Sequence, residues 1–104
     1  MLKQMALLAL LTASLASAKT FKFGLPEIAR AGNVQLQPGE YRLEVDGSKA
    51  VLMDKDGRPI DVNAKVETAD YELSYTAVFL SRADGTTRIQ GIYLENRKAR
   101  VVFE

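Results

Sequence analysis

The chain has no cysteine and no histidine among its 104 residues. Without either side chain, Ser-His-Asp and Cys-His nucleophilic systems are impossible. Zinc, copper and haem sites built on imidazole or thiolate are excluded for the same reason. Disulfides cannot form, so the fold must hold by apolar packing and sheet pairing alone. Glycine-rich phosphate cradles are missing too: "PGE", "DGS" and "DGR" are short turns with no helix behind them. Low-complexity linkers, convincing internal repeats and long helical periodicities are likewise absent.

What is present begins with "MLKQMALLALLTASLASA". Lys3 gives a positive start, Met5 to Ala16 is a nearly unbroken apolar run, and Ala16-Ser17-Ala18 supplies small residues. That layout predicts a secretory signal peptide, a helix over residues 1–18 cleaved between Ala18 and Lys19. The run falls short of the roughly 20 apolar residues that span a bilayer. A lipoprotein would need cysteine after the cleavage point, where Lys19 stands. The expected product is exported, periplasmic or secreted, with a single domain over residues 19–104 and no membrane span. An outer-membrane barrel needs eight strands of about 9–11 residues, more than the short strands here provide.

Cleavage removes Lys3 and leaves 86 residues carrying 13 basic and 13 acidic side chains. A balanced domain has no electrostatic grip on nucleic acid or an anionic bilayer. The basic residues Arg82, Arg88, Arg97, Lys98 and Arg100 lack the interleaved aromatics that stack single-stranded bases.

The remaining pattern alternates with period two. "TFKFGL", "EYRLEVDG", "KAVLMD", "PIDVNAKVE", "SYTAVFL", "TRIQGIYLE" and "ARVVFE" predict about seven strands, separated by Asx-Gly and Pro-Gly turns. The fold class is therefore all-β, a small antiparallel barrel or sandwich. "PEIARAGNVQLQPG" reads as an irregular connection. A type I′ turn at Asp56-Gly57 would oppose Met53 to Ile60 and Val51 to Val62, with Pro59 facing Asp54. One at Asp84-Gly85 would oppose Leu80 to Ile89, Val78 to Gly91 and Thr76 to Tyr93. That second hairpin is apolar on both faces. Mid-strand Gly91 suggests a bend or bulge, and a bent strand could bury opposite faces at its two ends. Burial of both faces is the preferred expectation, and an exposed binding patch is the alternative.

Candidate chemistry is sparse. Asp54, Asp56 and Asp61 resemble a calcium loop faintly, without the further ligands or closing Glu. Glu67, Asp70 and Glu72 could support carboxylate hydrolysis, yet they sit in a segment that reads as a solvated connection. No catalytic residue, cofactor or metal is expected, and the chain reads as non-enzymatic. Tyr41, Tyr71, Tyr75, Phe79 and Tyr93 could line a concave sheet, with Tyr41, Tyr75 and Tyr93 the candidate ligand contacts. In the uniform register Tyr75 and Tyr93 point to opposite faces, so core or barrel-mouth packing is the commoner role.

The unit "VQLQPGEYRLEV", with "TFKFGLP" before it and "RVVFE" at the end, resembles small signal-peptide-bearing exported bacterial β-proteins of unassigned function. The resemblance implies a compact all-β fold and nothing catalytic. The function expected is an exported β module that binds a protein or glycan partner, or serves as an envelope or extracellular structural component. Alternatives are a carbohydrate- or small-ligand-binding barrel and a small hydrolase. Contact surfaces would be a sheet edge, near Pro59 or in the terminal strands and open to a homo-oligomer, or the aromatic end of the central hairpin.

Overall fold

The computed structural model describes residues 18–104, so the predicted signal-peptide helix lies outside the described residues, Ala18 apart. Among those residues the protein is all-β, and no helix is long and apolar enough to cross a membrane. The strands are β1 (Lys19–Leu25), β2 (Ala29–Ala31), β3 (Val34–Leu36), β4 (Gly39–Asp46), β5 (Lys49–Asp54), β6 (Ala64–Thr68), β7 (Ala77–Ala83), β8 (Thr86–Tyr93) and β9 (Ala99–Phe103).

They form a single sheet in the order β1-β4-β5-β6-β9-β8-β2-β3, with β7 on the other edge of β8. This corrects the expectation of a barrel or two-sheet sandwich. A barrel closes only if its terminal strands exchange a continuous ladder. Here β1 and β7 approach each other without pairing. The reason lies in β8, which is shared. One of its edges is taken by β7 along its length, and the other is divided between β9 at Ile92–Tyr93 and β2 at Arg88. The path therefore runs out in the short β2–β3 hairpin. The β2–β8 contact is parallel, an exception in a sheet whose other strand pairs are antiparallel.

Period-two alternation explains the core. Phe21, Phe23 and Leu25 of β1 face inward while Thr20, Lys22 and Gly24 face water. β4 does the same with Tyr41, Leu43 and Val45. Leu52 opposes Leu43, and Ile92 lies level with both Val78 and Val101, so the inward rows run across neighbouring strands. Residues from β1 through β9 merge into one apolar cluster with Leu43, Leu52, Ile92, Leu94 and Val101 fully buried. Directly opposed side chains share a face, so each inward row is also a set of packing contacts.

Turn chemistry fixes the registers. At Asp84-Gly85 both residues have positive φ, 54° and 74°, the type I′ geometry expected from sequence. Ala83 then pairs with Thr86 and Leu80 with Ile89, as expected. Beyond that point the ladder shifts: Phe79 pairs with Gly91, Val78 with Ile92 and Ala77 with Tyr93. Gln90 and Gly91 thus stand opposite the single residue Phe79, which is a β-bulge. The expected pairs Val78–Gly91 and Thr76–Tyr93 are each displaced by one residue.

The Asp56-Gly57 turn is also displaced by one. Asp54 pairs with Arg58 around a three-residue loop, Met53 bridges Pro59, and the Ile60 N–H donates to the Leu52 carbonyl at 2.8 Å. The Asp54 carboxylate causes this, accepting the backbone N–H groups of Asp56 and Arg58 at 2.9 Å each. Gly57, at φ +82°, supplies the left-handed closing residue. The "irregular connection" is in fact a small hairpin, β2–β3, turning at Gly32-Asn33 with φ +59° at Gly32.

Candidate functional site

The bulge decides which side chains meet outside the sheet. Counting from core-facing Ile92, the next position, Tyr93, must face outward, and its ladder partners Ala77 and Arg100 share that face. Arg100 in turn opposes Glu67 of β6. An outward row therefore crosses four strands as Ala77, Tyr93, Arg100 and Glu67. Phe79 and Gly91 form the next row on the same face, and the bulge adds Gln90 to it.

Tyr71 joins from a connection rather than a strand. The segment between β6 and β7 is tied down at three points. The Ala69 N–H donates to Lys98 O at 3.0 Å, Asn96 N–H to Leu73 O at 2.6 Å, and the Thr76 hydroxyl to Glu95 Oε1 at 3.3 Å. This lays the Tyr71 ring on Tyr93, with centroids 5.1 Å apart and planes at 19°. Phe79 closes the other side, 4.8 Å from Tyr93 and tilted by 47°. Phe79 is 38% exposed and Tyr71 45%.

Hence only one face of the central hairpin is hidden by the fold. Val78 and Leu80 pack against the core, while Phe79 and its neighbours look outward. The expectation that both faces would be buried is corrected. The bulge is present, but it arranges an outer aromatic group and does not turn that side of the strand inward.

Beside the rings, Arg100 donates from Nε and Nη2 to Glu67 Oε2 at 3.3 and 3.2 Å. Lys65 lies 3.9 Å from the other Glu67 oxygen and 3.1 Å from Glu104. The Tyr71 hydroxyl is pushed above its ordinary value, first by the adjoining Tyr93 side chain and then by burial. Tyr93 and then Glu67 hold the Arg100 guanidinium in its charged form. Together Tyr71, Phe79, Gln90, Gly91, Tyr93 and Arg100 line a cleft of about 160 Å³. Larger hollows exist, about 420 Å³ over Lys22–Gly24 and about 300 Å³ beside the Gly85 turn. They bring together no set of exposed rings with a paired charge, so chemistry and not size selects the aromatic cleft.

The three tyrosines picked from sequence occupy different surroundings. Tyr41 is 8% exposed, stacks on Phe23 at 5.8 Å and donates its hydroxyl to the Gln37 carbonyl at 2.6 Å. Tyr75 is 61% exposed, precedes β7 and does not line the cleft. Tyr93 is at its centre. In the sequence, Arg100 gave no signal as part of a site. Gly91 did give one, as a glycine inside a strand.

Of the candidate acids, Glu67 is engaged with Arg100 and Lys65, and Asp70 and Glu72 are exposed. The Asp54 carboxylate serves its own turn. Among the described residues no cluster of three or more acidic side chains is placed to hold a metal ion. The chain matches no protein-family model, no curated protein and no solved structure.

Proposed function

We propose that this protein is an exported, non-enzymatic β module that works by binding, with the outward face of β7, β8 and β9 as its contact surface. The observation that carries this reading is the Tyr71–Tyr93–Phe79 cluster held outside an already complete core. Exposed aromatic groups rimmed by polar residues are typical of interaction sites, because each ring offers large apolar area at little cost in side-chain entropy. Export is supported by the leader pattern, and cleavage at its predicted end is compatible with an intact β1. Lys19 is the first residue of the β1 ladder, paired with Val45, so cleavage after Ala18 leaves every rung of that strand in place. A structural role in the envelope would use the same face.

Two measurements test this. N-terminal sequencing of protein recovered outside the cytoplasm should begin at Lys19, and a product beginning at Met1 refutes export. Immobilised protein should retain a component of exported extract that the double variant Tyr71→Ser, Phe79→Ser fails to retain. Equal retention by both proteins removes the aromatic face from the proposal.

A further inference from the structure

The glycine at the floor of the cleft sits at the bulge, but this bulge does not itself require a glycine there. Gly91 does not have positive φ, and a Cβ built there would meet its nearest neighbours, Arg100 Cδ and the Val101 carbonyl, at an ordinary 3.7 Å. Neither backbone geometry nor crowding requires glycine. In a strand interior it is less favourable than alanine. Besides bulges and bends, strand glycines mark places where a ligand or another backbone comes close. Here that place lies between Phe79 and Tyr93 on one side and Arg100 on the other.

Three further properties define the occupant. Its size is small: about 160 Å³ equals roughly five waters at about 30 Å³ each, below the roughly 300 Å³ at which pockets for drug-sized ligands begin. One ring fits and two do not. Its charge is neutral, because the Arg100 guanidinium is already compensated by Glu67. Its surface is mixed, since the walls are aromatic while the rim offers both hydrogen-bond donors and acceptors. Gln90, exposed on the cleft side by the bulge, contributes a carboxamide with both. Arg100 and the Tyr93 hydroxyl add others.

Resting on the reading of this face as the contact surface, we infer that the cleft is a subsite for one neutral pyranose unit of a glycan. The C–H face of the sugar lies against Phe79 and Tyr93 over Gly91, and its hydroxyls meet Gln90 and Arg100. A free hydrophobic ring would leave the polar rim unpaired, and an anionic sugar would have to compete with Glu67 for Arg100.

Gly91 also makes the test clean. Alanine fits without a clash, and valine favours strand structure, so Gly91→Ala and Gly91→Val should fold while filling the floor. The purified protein is titrated with neutral gluco-, manno- and chito-oligosaccharides, and with uronic-acid oligomers, while amide and side-chain resonances are followed by NMR. The expected result is a set of shifts centred on Gln90, Gly91, Tyr93 and Arg100 with a neutral oligosaccharide. Affinity should fall about tenfold or more in Gly91→Val, equivalent to about 1.4 kcal/mol, with circular dichroism unchanged. Absence of shifts with every neutral oligosaccharide, unchanged affinity in both glycine variants, or preference for the uronic acids overturns the inference. If no sugar binds but extract retention still depends on Tyr71 and Phe79, the pyranose subsite falls and the contact face stands. If both fail, both fall.

Discussion

Gly32 offers a sharp test of how the sheet is folded back on itself. It sits at the β2–β3 turn with φ +59°, and a Cβ there would lie 2.3 Å from the Glu104 carbonyl oxygen and 3.3 Å from Val62 Cγ2. Gly57 has φ +82° but open space around the same position. Replacing either by alanine incurs left-handed strain of about 1–2 kcal/mol. Only Gly32→Ala must also push the end of the chain away. Glu104 resists, because its N–H donates to Asn63 O at 3.0 Å and its carboxylate meets Lys65 at 3.1 Å. Overpacking of this kind costs about 1–3 kcal/mol. Gly32→Ala should therefore lose about 2–5 kcal/mol and Gly57→Ala about 1–2 kcal/mol. At about 4–8 °C per kcal/mol for a domain of this size, the excess corresponds to a melting temperature roughly 4–24 °C lower. Thermal and urea unfolding followed by circular dichroism read both quantities. Equal losses in the two variants would refute the close approach of the β2–β3 turn to the end of β9.

Ile92 is fully buried, so Ile92→Ala should cost about 2–5 kcal/mol, whereas Val51→Ala, at an exposed site, should stay within about 0.5 kcal/mol. Comparable denaturation midpoints for the two would contradict the assignment of inner and outer faces. Arg97 lies 5.0 Å over the Phe21 ring, and Arg97→Ala should cost about 0.5–2 kcal/mol, part of it restored by lysine. A double-mutant cycle with Phe21→Leu isolates that term, and a zero coupling energy would eliminate it. Asp54 has its folded-state pKa lowered below 3.8, chiefly by the hydrogen bond from the Arg58 backbone and despite some opposing desolvation. Its contribution is full above the unfolded value, about 3.9, and is lost as pH falls through the lowered folded value. Acid unfolding curves of wild type and Asp54→Ala should accordingly converge only once the pH has fallen below the lowered folded value, and curves that stay parallel would show that the carboxylate is not capping the loop.

Much of the sheet was legible because alternation reports directly on burial. The inward sets Phe21-Phe23-Leu25 and Tyr41-Leu43-Val45 can be picked out by spacing alone. The Asp84-Gly85 turn could be typed because both central positions tolerate positive φ. What escaped were effects that depend on a competing contact. The Asp54 side chain selected a three-residue loop where Asp-Gly suggested a two-residue one, and the whole register moved with it. The Ala29–Leu36 hairpin is too short for a period to show, although Gly32-Asn33 is a turn signal. Alternation also carries no information on which strands become neighbours. Tyr71 meets Tyr93 because the Thr76–Glu95 and Asn96–Leu73 bonds fold a connection across the sheet. Gly91 announced the bulge, but the consequence, an outward ring cluster, follows from a one-residue shift that shows only in the folded sheet.

The strand order also sets a timetable. β1, β4 and β5 pair side by side, with only the short β2–β3 hairpin between β1 and β4 along the chain, and can assemble early, yet β6 reaches β8 only through β9. Until Ala99–Phe103 emerges, the two parts of the molecule lack their common rung, and apolar side chains on both remain wet. Contacts so distant along the chain form late, after their loop-closure entropy has been met. The last strand therefore acts as a latch, and a chain stopped short of Ala99 would be left with two unjoined and sticky fragments of sheet.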